Sequence, residues 1–223
     1  MLGRLVSRSL DLAFPATCAG CDREGEPICA RCRPALDARL SLPPGVPIGL
    51  PAEIPPGLLQ AEWCAPFAGV VRAALHQLKY AGERRLARPL GEALARRWAA
   101  VGAGGDVLVP VPVHRARAAQ RGYDQAVLLA EAAANALGLP ATTILERRRE
   151  TVAQYHLDRS DRAANVAGAF SIGSPAAAAG VHGRWVVLVD DVMTTGATLS
   201  ACATALADAG ALGVSAITVA RER

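Results

Sequence analysis

The stretch 186–199, VVLVDDVMTTGATL, carries four apolar residues (Val186, Val187, Leu188, Val189) straight into two adjacent acids, Asp190 and Asp191. Thr194, Thr195 and Gly196 follow, and then an alanine-rich helical pattern begins. A short, continuous apolar run bounded in this way is the mark of a strand buried on both faces, as in a parallel sheet. Parallel α/β sheets bind ligands at the carboxyl ends of their strands. The two acids are therefore expected at the ligand edge, with the turn 193–197 leading into a helix.

That turn offers backbone N–H groups and threonine hydroxyls at the first turn of a helix, where unsatisfied donors and the macrodipole attract an anion such as phosphate. Carboxylates beside such a site repel the anion unless a group stands between them. A ribose does this, because its vicinal hydroxyls donate to carboxylates while its 5′-phosphate reaches the turn. The stretch reads as a site for ribose 5-phosphate. The competing reading is an ordinary strand end with an acid as helix cap. No P-loop lysine and no GxGxxG accompanies it, so nucleoside triphosphate and dinucleotide folds fit worse.

Working outward, strands alternate with helices from Ala61 onward. Strands are expected at 63–67, 106–112, 142–145, 185–190 and 214–220, and helices at 70–79, 83–101, 122–137 and 198–209, the last two stopped by Gly138 and Gly210. Helices of this length between strands imply a mainly parallel sheet covered on both faces. SPAAAAG (174–180) reads as a loop. The arginine-rich segment 147–170 has no sustained period and reads as a long functional loop or lid.

Ahead of this domain, residues 2–12 suggest a short amphipathic helix, and the cysteines fall as CAGC (18–21) and CARC (29–32). Residues 43–58 hold six prolines and three glycines, which forbid regular structure and mark a connector. The expected organisation is a helix and cysteine module over 1–42, a connector over 43–60 and an α/β domain over 61–223.

Two CxxC turns separated by seven residues supply four thiolates, Cys18, Cys21, Cys29 and Cys32, for one tetrahedral metal. All-thiolate ligation leaves no open position, so the metal is read as structural Zn2+. The poor apolar inventory before residue 43 agrees, because so small a module needs a metal to fold. Cys64 and Cys202 are expected as buried apolar residues, and Trp98 and Trp185 as core. The formal charge is +4, and four thiolates with one divalent cation bring it to about +2, so net charge decides little. No apolar run approaches the roughly 20 residues of a membrane span, and the N-terminus lacks an export signal. A reducing, cytoplasmic setting without membrane insertion is the expectation. Of the 24 basic residues only Lys79 is a lysine.

Hydrophobic run, two acids, TTG and a further threonine resemble the 5-phosphoribosyl 1-pyrophosphate (PRPP) signature of type I phosphoribosyltransferases. With the cysteine pairs, HQLKYAGERRLARPLG (76–91), VPVPVHRARAAQRGYDQA (109–126) and RRRETVAQYHLDRSDRAANVAGAF (147–170), nearly the whole chain resembles the ComF family of that superfamily. The resemblance implies PRPP with Mg2+, and loss of pyrophosphate from ribose C1 through an oxocarbenium-like transition state. It implies that Asp190 and Asp191 hold the ribose hydroxyls and help orient Mg2+, and that Thr194, Thr195, Gly196, Ala197 and Thr198 cradle the 5′-phosphate. His114, Arg115, Arg117, Arg121 and Lys79 would face the pyrophosphate, with His114 as a loop residue and the arginines as a solvated face the bland alternatives. Arg147, Arg149, Thr151 and Gln154 would close as a lid, its return braced by Arg162 and Asn165. Thr194 stands where purine-specific members carry an acid, so purine salvage is not implied and the acceptor is open. A second reading, from the same resemblance, is an accessory factor in DNA uptake that handles single-stranded DNA or docks competence machinery. Few aromatics lie near its basic loops, which gives base stacking little support.

Overall fold

A computed structural model describes residues 15–45, 54–101, 104–147 and 168–222. The expected N-terminal helix over 2–12 lies outside the described residues. Strands β3 (Ala61–Pro66), β4 (Val107–Pro110), β7 (Trp185–Met193) and β8 (Gly213–Arg221) form one four-stranded sheet, ordered β3-β8-β7-β4 and parallel throughout. Its inner strands are apolar on both sides: Val186 to Val189 and Ala216 to Ala220 are buried, as a sheet covered on both faces requires.

Helices α1 (Gly69–Tyr80), α2 (Ala87–Ala100) and α4 (Gln125–Leu137) cover one face, where Leu75, Leu90, Leu94 and Leu129 pack with Val187, Val189 and Ile217. Helix α6 (Ala197–Asp208) covers the other, where Leu199, Cys202 and Leu206 pack with Val186, Leu188 and Ala216. Cys64 and Cys202 are buried, as expected. Trp98 is also core, whereas Trp185 is half-buried and donates its indole N–H to Ser215 Oγ at 3.0 Å.

Several boundaries depart from the sequence expectation. The helix expected over 122–137 begins at Gln125, as α4 capped by Asp124, and a further helix that the sequence reading did not expect, α3 (Arg115–Arg121), precedes it and is ended by Gly122 at φ +74°. The pattern over 83–101 opens as a single 3-10 turn, Arg84–Leu86, before α2. Residues 175–179 form a short helix, α5, instead of a loop, with Ser174 as cap and Pro175 at its first position. The expected strand 142–145 is reduced to one bridge, Leu108 to Ala141, followed by β5 (Leu145–Arg147). Strand β5 pairs antiparallel with β6 (Phe170–Ile172), Arg147 opposite Phe170, so both ends of the arginine-rich segment are strand.

The cysteine module is not separated from this core. Its short strands β1 (Ala16–Thr17) and β2 (Glu24–Gly25) pair antiparallel, and Ile28 and Leu36 pack into the same apolar cluster as Leu75 and Leu90. A buried ion group fastens it. Glu62 and Arg39 are fully buried and Arg97 nearly so. Arg97 Nη2 lies 2.7 Å from Glu62 Oε2, while its Nη1 donates to the carbonyls of Arg39 and Leu42 at 2.6 Å each. Glu62 also accepts the N–H of Gly45 at 2.7 Å. The Arg39 guanidinium lies 3.7 Å from the centre of the Trp63 ring, and burial followed by the charge of Arg97 lowers its pKa.

Candidate phosphoribosyl site and cysteine cluster

Strand β4 stops pairing with β7 at Val189, while β8 follows β7 on to Met193. The acids therefore stand inside β7, not at its end, where one neighbouring strand has dropped away. Their environments differ. Asp191 is buried, and its Oδ2 lies 2.5 Å from Lys79 Nζ of α1 and 3.4 Å from Gln125 Nε2 of α4. Its Oδ1 accepts the N–H of Val192 at 2.7 Å. Asp190 is half-buried, accepts the N–H of Asp191 at 2.8 Å, and lies within electrostatic reach of Cys202 of α6 and Arg147 of β5. Burial, and then the charge of Asp191, push the Asp190 carboxyl well above the usual range, against the opposing effects of the Asp191 N–H and Lys79.

The turn after β7 delivers Gly196 as the cap of α6 with φ +81°. A Cβ there would also lie 2.3 Å from Pro55 Cγ, so two constraints select glycine at this position. Thr194 and Thr195 are exposed, Ala197 and Thr198 half-buried, and Thr195 Oγ1 accepts the N–H of Ala197 at 3.4 Å. These residues open the first turn of a 12-residue helix, whose leading N–H groups lack intrahelical partners.

Beyond β4, the expected anion turn is built around α3. His114 is its cap, Nδ1 accepting the N–H of Ala116 at 3.3 Å. Arg115 and Arg117 belong to α3, with Arg117 exposed. Arg121 ends it and donates Nη1 to Gln125 Oε1 at 2.7 Å. Asp124 Oδ2 accepts the N–H of Val113 at 3.2 Å, and Tyr123 donates its hydroxyl to the Leu78 carbonyl, which fixes this turn to α1. Burial raises the Asp124 pKa, the three amides it accepts lower it, and the Asp191 charge raises it again.

Of the expected pyrophosphate group, Lys79 thus faces Asp191, Arg121 is linked to the same acid through Gln125, and His114 braces its own helix. Arg147, expected in a lid loop, belongs to β5 and stacks 5.4 Å from the Phe170 ring. Burial, followed by the charge of Arg117, lowers its pKa. Arg149, Thr151 and Gln154, with Arg162 and Asn165, lie outside the described residues. Sequence reading missed Asp124 and Gln125. The first had a signal, an acid just ahead of an apolar helical pattern. The second had none, because burial of a glutamine against a distant acid is a tertiary event.

The four paired cysteines come together as expected. One sulfur from each of Cys18, Cys21, Cys29 and Cys32 lies within 4.8 Å of the others, and Cys21 and Cys29 are 3.6 Å apart. Each pair closes its own turn, Asp22 N–H to the Cys18 carbonyl at 2.9 Å and Arg33 N–H to the Cys29 carbonyl at 3.0 Å. Burial raises the Cys18 thiol, but the Cys29 and Gly20 amides and its sulfur neighbours bring it down to about 6. Burial and the other three sulfurs push Cys32 up to about 12. Spacing and donor type suit a tetrahedral thiolate site.

Comparison with known proteins bears on the family. The family described as Phosphoribosyl transferase domain matches residues 124–223. The chain is 32% identical over 203 residues to the DNA utilization protein YhgH of Salmonella typhi, covering 84% of this chain and 87% of that one. The Escherichia coli K12 protein of the same name is 30% identical over 207 residues, covering 89% and 86%. Competence protein F of Haemophilus influenzae is 38% identical over 96 residues, covering 43% of this chain and 41% of its own. Among solved structures, the B. subtilis glutamine PRPP amidotransferase complexed with ADP and GMP gives a TM-score of 0.41 at 26% identity, over 60% of this chain and 26% of its own length. With relatives matched along most of their length and the acid pair, two-threonine turn and cysteine cluster in one chain, this protein belongs to the ComF family of the type I phosphoribosyltransferase superfamily.

Proposed function

We propose that the protein binds a 5-phosphoribosyl compound of the PRPP class at the carboxyl edge of its sheet and transfers the phosphoribosyl group to an acceptor. The observation that carries this is the succession within one stretch of a half-buried and a buried acid in β7, a two-threonine turn and a glycine-capped helix. Asp190 and Asp191 accept from the ribose hydroxyls. Thr194 and Thr195 with the leading amides of Gly196, Ala197 and Thr198 hold the 5′-phosphate. Arg115, Arg117 and Arg121, with His114, supply positive charge and donors for the pyrophosphate, and Lys79 reaches it from Asp191 as a point charge. Arg147, in β5, adds positive charge within electrostatic reach of Asp190, while Arg149, Thr151 and Gln154, which the family resemblance assigns to a lid, lie outside the described residues.

The C1–pyrophosphate bond breaks as the acceptor nucleophile bonds to C1, and pyrophosphate leaves with the bonding pair. Carboxylate oxygens at the acid pair are donors that suit a hard divalent cation, and Mg2+ accompanying the pyrophosphate would offset its charge. The chain's own contribution is positioning and electrostatic stabilisation. Cys18, Cys21, Cys29 and Cys32 would hold Zn2+ as a structural metal of the module over 1–42, joined through the connector 43–60 to the phosphoribosyl domain over 61–223.

Calorimetry with PRPP and Mg2+ tests the reading. The protein binds, the Asp190→Asn/Asp191→Asn double variant does not, and absence of heat with the unaltered protein rejects the site. A second reading, favoured by the relatives named DNA utilization protein and Competence protein F, makes the protein an accessory factor for incoming DNA. Salt-dependent binding of single-stranded DNA that survives the same double substitution supports it.

A further inference from the structure

The side chain of Gln125 is engaged at both ends although the residue is only 4% exposed. Arg121 Nη1 donates to its Oε1 at 2.7 Å, and its Nε2 donates to Asp191 Oδ2 at 3.4 Å. A guanidinium has no acceptor, so the Arg121 contact fixes which end of the amide is oxygen and leaves the NH2 group to face the carboxylate. The same Oδ2 carries the Lys79 ammonium at 2.5 Å, and Oδ1 is held by the Val192 N–H. The other charged groups that face Asp191 are Asp190 on its own strand and Asp124 at the start of α4. Gln125 is thus a neutral donor that bears on Asp191 from α4 and continues to a cation on the turn before it.

Resting on the phosphoribosyl reading, we infer that Gln125 is a positioning residue that sets the Asp191 carboxylate for the ribose hydroxyls and couples it to Arg121. An anion that draws the Arg121 guanidinium away removes the partner that orients the amide, and the change is felt at Asp191 Oδ2 and hence at Lys79. The arginine turn and the acid pair then respond to a ligand together, although they belong to different elements. A buried amide left with one partner is costly, so the contact of Arg121 bears on the whole row Arg121–Gln125–Asp191–Lys79.

Lys79 is the only lysine in the chain, so protein grown on 13C-lysine reports a single ε-methylene signal beside Asp191. Without any ligand, Arg121→Gln shifts that signal, and the same substitution in a Gln125→Met background leaves it in place. A full-sized shift in the Gln125→Met background overturns the relay, because it routes the effect through the Tyr80 ring, 5.1 Å from the Arg121 guanidinium. Gln125→Met keeps the side-chain length, and Gln125→Leu serves as a second background if thermal melting shows the first to be misfolded. By calorimetry, Gln125→Met weakens ribose 5-phosphate binding about tenfold, as expected for loss of one hydrogen bond to a charged group. Unchanged affinity rejects the positioning role. An unaltered protein that fails to bind ribose 5-phosphate rejects the phosphoribosyl reading instead, and the lysine signal alone then decides the relay.

Discussion

Asp190, which the proposed function sets against the ribose hydroxyls, shows what a buried acid costs the fold at the scale of one side chain. Its carboxyl is held well above the ordinary range by burial and by the neighbouring Asp191 charge. The folded state therefore binds this proton more tightly than the unfolded state does. Below the ordinary carboxyl range both states are protonated and no penalty arises. As pH climbs from there toward the raised value, the unfolded state ionises first and stability is lost. Asp190→Asn is accordingly more stable than the parent at neutral pH, by a few degrees at roughly 2–4 °C per kcal/mol for a chain of this size. The gap closes as pH falls toward 4. Thermal melts of the two proteins between pH 4 and pH 8 check the sign, and a variant less stable than the parent at pH 7 contradicts it. The same substitution weakens phosphoribosyl binding, so stability and function pull in opposite directions here.

Among elements, the decisive contact is between the connector side of the cysteine module and the edge of the sheet. Glu62 of β3 and Arg97 of α2 are buried with Arg39 from just beyond the 3-10 turn Arg33–Asp37. Arg97 spends three of its donors on the carbonyls of Arg39, Leu42 and Pro43. These carbonyls belong to a stretch with no ladder partners of its own, so the guanidinium takes the place of a strand. Removing Arg97 strips these carbonyls of their charged donor and leaves the buried Glu62 carboxylate with Arg39, at 3.6 Å, in place of a close pair. Arg97→Met lowers unfolding stability by about 3–5 kcal/mol, read as a lower denaturant midpoint. Breaking the Arg88–Glu92 pair on the same helix by Arg88→Ala leaves that midpoint essentially unchanged, because the Arg88 guanidinium is solvated.

For the whole molecule, the cysteine cluster and the elements that carry the proposed phosphoribosyl site share one apolar core, since Cys18, Cys29 and Cys32 pack in the same cluster as Leu75 and Val189. Loss of a metal from the cluster is then not a local event. Metal analysis in reducing buffer gives about one zinc per chain, and a chelator strong enough to remove it lowers the melting temperature of the whole protein in a single transition. Two separate transitions, with the second unchanged by chelation, contradict this coupling. Acidification acts in the same direction, because thiolates must be deprotonated to hold the metal.

Periodicity and motif were enough to read the parallel sheet, the acid pair before the two-threonine turn and the cysteine pairs, because each rests on residues adjacent in the chain. A strand reaching its acids, a helix beginning at a glycine and a CxxC turn are local geometry. What only the tertiary structure decided joins residues far apart in sequence. Lys79 meets Asp191 and Gln125 meets the same oxygen because α1 and α4 pack on one face of β7. Glu62 finds Arg97 because α2 crosses β3. Gly196 is constrained by Pro55 as well as by its own φ. Burial and electrostatic partnership depend on how elements pack, and no spacing along the chain encodes that directly.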